Sequence, residues 1–197
     1  MILNDKQITE LAKQGMIEPF LEERLQPFGY DITLSTKFKI FRGREPKGLL
    51  MDSWPFGIGK LPLKKLIKMD WVLDPFNTRE SDFEEIEDEV CIIPPLSFAL
   101  GVSVERFEIP NDVVGQCLGR SSYSRMGINP NVTPLEAGWS GFVTMEIINA
   151  TSMPNMVYAN KGISQVQFHR GEMPQRTYVS KGGRYNNQEG VTLTKGV

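Results

Sequence analysis

Beyond Asn131 the chain is a succession of short apolar and β-branched runs, at 131–133, 141–148, 156–159, 163–168 and 176–179, each broken by Gly, Pro or Asn. Runs this short, recurring about every eight to twelve residues, bury their side chains as strands of an antiparallel sheet rather than as helices. The same reading gives strands at Tyr30–Leu34 and, after a turn, Phe38–Phe41, then Val90–Ile93 and Ser97–Val104 split off by Pro94-Pro95. The expected fold is mainly β, a sandwich, jelly roll or barrel with short helices. Asn4 or Asp5 caps one helix, which carries Ile8, Leu11 and Ala12 and stops at Gly15. Residues 120–126 suit one or two helical turns closed by Gly127. Residues 42–75 read as a long loop with at most short helical pieces, and the acidic run Glu80–Glu89 as a solvated face. At 197 residues the chain suits a single domain, 1–197, with the helix in 1–15. The tail, 180–197, is polar and glycine-rich from Lys181 to Gly190: a disordered end or a mobile flap over a ligand.

Composition narrows the chemistry. The formal net charge is −2, from 22 basic and 24 acidic side chains, so no bulk field attracts nucleic acid or an anionic membrane. An anionic ligand has to be held by a few placed arginines. The N-terminal residues lack the pattern of a signal peptide, and the apolar segment Cys91–Val104 is too short to span a bilayer, so a soluble, cytoplasmic protein is expected. One histidine, His169, and two cysteines, Cys91 and Cys117, are the only soft metal ligands. They show neither His-x-Glu nor Cys-x-x-Cys, the spacing a zinc nucleobase deaminase requires.

The chemistry-bearing feature is a carboxylate inside an apolar strand, Thr144-Met145-Glu146-Ile147-Ile148. Period-two alternation puts Phe142, Thr144, Glu146 and Ile148 on one face and Val143, Met145 and Ile147 on the other. A desolvated carboxylate is either paired, most simply in a structural ion pair with an arginine, or has its pKa raised into the range useful for proton transfer. Upstream, Gly119-Arg120-Ser121-Ser122-Tyr123-Ser124-Arg125 gathers hydroxyls and guanidinium groups on a short turn, a cradle for phosphate without a Walker lysine.

Taken with Asn131-Val132-Thr133-Pro134, Gly138-Trp139-Ser140-Gly141 and Gly162-Ile163-Ser164-Gln165-Val166, these segments resemble the deoxycytidine triphosphate deaminases, zinc-independent members of the trimeric deoxyuridine triphosphatase superfamily. The resemblance implies a distorted jelly-roll or β-barrel of the β-clip type, assembled as a homotrimer with sites between neighbouring subunits. It implies that Glu146 is the general base and acid for attack of water on C4 of cytosine, with Arg125 and Ser121 orienting that water. By the same resemblance Arg120, Ser122 and Ser124, with Tyr123 in their midst, hold phosphates; Thr144 and Met145 line the pyrimidine and sugar, with Thr133 near the water. Gln165 contacts the nucleotide, and Tyr178, Arg184 and Gln188 close over it. Magnesium rides on the triphosphate, and zinc is not used. Deoxycytidine triphosphate is the implied substrate, with dUTP or dTTP as product or inhibitor ligands.

Three departures from the family pattern bear on function. Pro134-Leu135-Glu136-Ala137 is shorter than usual, with Glu136 in place of an aspartate; Asn131 stands where histidine is frequent; Tyr123 stands where leucine is usual. The alternatives are a bifunctional enzyme that carries dUTP on to the monophosphate, a plain dUTP diphosphatase, and a non-catalytic nucleotide-binding trimer.

Overall fold

The computed structural model describes residues 1–43 and 73–196. Most of the loop expected over 42–75 lies outside the described residues. The chain divides into two compact units, one of residues 1–40 and 85–192, the other of residues 41–84 and 193–197. In the smaller unit Phe41 and Phe83 meet edge to face with ring centroids 5.6 Å apart, Arg42 pairs with Glu84, and the Thr194 hydroxyl donates to Pro75 O.

The larger unit opens with helix α1 (Asp5–Ala12), capped as its sequence requires. The Asn4 side chain accepts from Gln7 N–H, and the Gln7 side chain accepts from Asn4 N–H. Ile8, Leu11 and Ala12 are buried, and Gly15 takes φ +96° where the chain turns away. Eleven strands follow among the described residues: β1 (Ile17–Glu18), β2 (Leu25–Gln26), β3 (Gly29–Phe41), β4 (Phe83–Glu87), β5 (Val90–Ile93), β6 (Phe98–Glu108), β7 (Val113–Gly119), β8 (Ile128–Asn131), β9 (Ser140–Asn149), β10 (Asn155–Tyr158) and β11 (Gly162–Arg170). Nine of them form one sheet with the path β7-β11-β3-β6-β9-β8, extended by β1 on β6 and by β2 and β4 on β3; β5 and β10 make a separate pair. The ends of the path, β7 and β8, pack on each other, so the sheet nearly closes. Gly119 lets them meet: a Cβ there would lie 3.1 Å from Pro130 Cδ. The mainly β, barrel-like expectation holds.

Several elements differ from their sequence reading. The turn placed between Leu34 and Phe38 is a bulge inside one continuous β3, since Leu34 faces Ser103 and Phe38 faces Gly101. The strand at 131–133 is β8, three residues earlier, because Asn131 closes the pairing opposite Glu146. No strand occupies 176–179. Tyr178 instead turns into the tail, its hydroxyl accepting from Tyr185 N–H at 3.0 Å and its ring lying on Gly183. The acidic run is mostly exposed as expected, yet part of it is β4, and Asp82 is buried.

β6 carries a second bulge: Val102 faces Thr144 and Arg106 faces Phe142, so Ser103, Val104 and Glu105 lie opposite the single Val143. Side chains satisfy the displaced backbone. Ser103 Oγ accepts from Val143 N–H at 2.8 Å and donates to Glu105 O at 2.6 Å. Glu105, fully buried, accepts Thr33 N–H on Oε2 at 3.0 Å, at the point where β3 passes from β11 to β6. Burial pushes the Glu105 carboxyl above the ordinary carboxylate range, only partly offset by Thr33.

Candidate active site around Glu146

β9 reads as its alternation requires. Val143, Met145 and Ile147 are buried in the core, while Thr144 and Glu146 are half-buried on the other face. On that face Glu146 stands between β6 and β8. Leu100 is its partner on one side and Asn131 on the other. The Asn131 amide donates to Glu146 Oε2 at 3.3 Å. Among the described residues the partner of the strand carboxylate is thus a neutral amide, not the arginine of a structural ion pair. A neutral donor compensates desolvation only in part, and burial holds the Glu146 pKa above the ordinary carboxylate range against the pull of its own backbone and Asn131. The sequence marks Asn131 only as a departure from the family pattern; the β8–β9 register shows that it meets Glu146.

The serine–arginine segment follows β7 directly. Helix α2 (Ser121–Ser124) starts from Arg120 in extended conformation, and Arg120 O accepts from Tyr123 N–H and Ser124 N–H. Gly127, at φ +74°, ends the turn where a Cβ would come within 2.3 Å of Thr151 Cγ2. Ser121, Ser122 and Arg125 are exposed, and Ser124 Oγ donates back to Arg120 O. Among the described residues the Arg125 guanidinium has no partner. Arg120 is anchored: its Nη1 lies 3.3 Å from both Gly162 O and Oδ2 of the buried Asp31. Asp31 also accepts from Gln165 Nε2 at 3.4 Å, so Gln165 and Arg120 share one carboxylate. Tyr123 packs against the core, where burial raises its phenol pKa.

The remaining residues fall into two groups. Thr133 and Glu136 are exposed on the segment between β8 and β9; Met145 points into the core, away from the face of Glu146. The tail supplies the others. Residues 185–192 run along the first half of β9, the part β8 leaves unpaired. Trp139 Nε1 donates to Tyr185 O at 2.8 Å, Asn187 N to Ser140 O at 2.8 Å, and Phe142 N to Gln188 O at 3.0 Å. Gln188 Nε2 returns a bond to Phe142 O at 2.8 Å, and Thr192 N–H reaches Thr144 Oγ1 at 3.3 Å. At Thr192 the tail therefore lies one face-neighbour away from Glu146, while Arg184 stays exposed. Among the described residues no three His, Cys, Asp or Glu side chains cluster as a metal site, and no helix is long and apolar enough to cross a membrane.

Comparison with known proteins agrees on one family. The family model described as "dCTP deaminase-like" matches residues 2–171. A dCTP deaminase of Acidobacterium capsulatum is 39% identical over 204 residues, and one of Erythrobacter litoralis 42% identical over 205 residues; each alignment covers 98% of this chain and 98% of the relative. Among solved structures, 2'-deoxycytidine 5'-triphosphate deaminase from Agrobacterium tumefaciens superposes with a TM-score of 0.61 at 20% identity, over 86% of this chain and 48% of that one. The structural likeness establishes the fold.

Proposed function

This chain belongs to the dCTP deaminase-like family, and we propose that it hydrolyses the exocyclic C–N bond of deoxycytidine triphosphate, giving deoxyuridine triphosphate and ammonia. One observation carries the mechanism: Glu146 is a desolvated carboxylate of raised pKa held by a neutral donor on a sheet face. Such a group takes a proton from water as the oxygen attacks C4 and delivers it to ring N3, then takes the proton of the newly bound hydroxyl and hands it to the departing amine. Ammonia leaves, and Glu146 returns to its starting state.

Arg125 and Ser121 orient the water and stabilise the charge that develops, in keeping with the exposure of both. Arg120, Ser122, Ser124 and the tail residues Tyr178, Arg184 and Gln188 bind the nucleotide, which brings its own magnesium. Because Glu146 pairs with Asn131 and Arg125 has no partner in the chain among the described residues, the site is completed by a neighbouring copy, in the homotrimer the resemblance implies. The protein works in the cytoplasm without zinc, and dUTP and dTTP bind as product and inhibitor.

Incubation with each deoxynucleoside triphosphate after exhaustive zinc chelation tests this, with ammonia and pyrophosphate scored separately. Ammonia from dCTP without pyrophosphate is expected. Stoichiometric pyrophosphate would show a bifunctional enzyme, and Glu136→Gln should then abolish only the pyrophosphate. Activity that vanishes on chelation and returns with zinc would overturn the mechanism.

A further inference from the structure

Nothing in the mechanism yet assigns a role to Asn131. Asn is disfavoured in strands, and this one lies in a short β8 that pairs only with β9. Its position is fixed from both sides. Pro130 restricts the backbone immediately before it, and the register sets Asn131 directly across from Glu146, with Asn129 across from Ile148. Resting on the deaminase reading, we infer that Asn131 is a positioning residue that clamps Glu146 Oε2 through its amide N–H and leaves Oε1 as the oxygen that exchanges the proton.

The clamp cannot change its own charge. An amide donates at every working pH, so the proton inventory of this pair belongs to Glu146 alone. The residues beside Glu146 on the flanking strands are uncharged: β8 presents Asn129 and Asn131, β6 presents Phe98, Leu100 and Val102, and β9 itself presents Phe142, Thr144 and Ile148. Farther along β6, past the bulge, Arg106 faces Phe142 and is paired with Glu108 at 2.6 Å. The charged side chains on the elements beyond these are Arg120 and Arg125, flanking α2, which packs on β8, and Arg184 and Glu189 on the tail. Arg120 is committed to Asp31.

The test compares the wild type with Asn131→Ala, Asn131→Asp and Asn131→His in the full chain. Two quantities are followed: titration of the Glu146 side-chain carboxyl by carbon NMR in the resting protein, and the pH profile of kcat/KM for ammonia release from dCTP. Removal of the donor in Asn131→Ala should move the carboxyl midpoint and the acidic limb upward together, by about half to one pH unit. The kcat at neutral pH should fall about tenfold, with KM within about twofold, as expected when an oriented base is loosened rather than the nucleotide released. Asn131→Asp sets two carboxylates face to face and should split the titration into two steps. Asn131→His, which keeps a ring N–H donor, should bring the midpoint back to or below that of the wild type. Coincident Glu146 titrations in the wild type and Asn131→Ala would overturn the inference even if both released ammonia. Midpoints that move with Asn131 in a protein that releases no ammonia would uphold the clamp and overturn the deaminase reading instead.

Discussion

Gly141→Ala should unfasten the tail while leaving the barrel folded. At Gly141 φ is +140°, and an added Cβ would lie 2.8 Å from Gln188 N and 3.2 Å from Gln188 O, backbone atoms that cannot swing aside. Holding alanine at that dihedral costs about 1–3 kcal/mol before the overlap is counted. Releasing the tail removes the overlap. It forfeits the bonds from Trp139 Nε1 to Tyr185 O, Asn187 N to Ser140 O, Phe142 N to Gln188 O, Gln188 Nε2 to Phe142 O, Ser140 N to Asn186 Oδ1, Ser140 Oγ to Asn187 Oδ1 and Thr192 N to Thr144 Oγ1. At about 0.5–1.5 kcal/mol net each, these seven sum to about 3.5–10.5 kcal/mol. Residues 185–192 regain about 1 kcal/mol of backbone entropy apiece on release. The two totals nearly cancel, so the tail is held by a few kcal/mol at most, and a penalty of about 2 kcal/mol tips it from mostly bound to mostly free. Hydrogen exchange at the Phe142 and Asn187 amides should rise at least about tenfold, as should tryptic cleavage after Lys181 and Arg184, with little change in far-UV circular dichroism. Unchanged protection at both amides in a folded variant would refute the reasoning.

Glu146→Gln is nearly isosteric but cannot take up the proton of water; ammonia release should fall by about two to four orders of magnitude. Calorimetry should find dCTP binding intact, and normal turnover would make Glu146 structural. Glu105→Gln addresses the buried carboxyl beneath the β6 bulge. Its folded pKa is raised, so its contribution to stability is complete below the unfolded pKa. That contribution is lost as pH rises from the ordinary carboxylate range through the folded value, at about 1.4 kcal/mol for each pH unit separating the two. The variant should be the more stable near neutrality, with a flatter dependence of urea midpoint on pH; parallel wild-type and variant curves would contradict this. Asn149, fully buried, donates to Ile93, Pro94 and Met153 carbonyls and accepts from Thr151 N–H and hydroxyl. Asn149→Ala should cost about 2–4 kcal/mol in urea unfolding, and a loss below about 1 kcal/mol would show that water replaces these bonds.

How far the sequence can be read depends on whether a signal is local. The Asn4 cap, the Gly127 stop and the alternation around Glu146 are each set within a few residues, and the structure keeps them. β8 is misplaced from sequence because Pro130 suggests a break. The structure tolerates it because β8 pairs on one side only. β3 looks like two strands because Ser35-Thr36-Lys37 resembles a turn, and only pairing with β6 shows that these residues bulge from a continuous ladder. β4 is hidden by its charge: Glu84 and Glu85 meet Arg42 and Lys39, contacts no local pattern announces. In the site, Glu146 is legible from its neighbours in sequence. The Asn131 clamp, the sharing of Asp31 by Arg120 and Gln165, and the docking of the tail on β9 join residues far apart in the chain, and they follow from strand register alone.

The way β3 changes partners has a consequence for how the protein is made. Its first half pairs with β11, whose Gln165 lies 134 residues beyond Asp31. At about 5–20 residues per second, a ribosome takes roughly 7–27 s to supply that partner. Throughout that interval Ile32 and Leu34 have no sheet to enter on the β11 side, and β6, the other neighbour, pairs only from Leu34 onward. Nascent chains stalled before β11 should therefore expose a sticky, β-prone segment near their N-terminus. The burden of keeping this protein soluble during synthesis then falls on whatever shields that segment until the last long strand arrives.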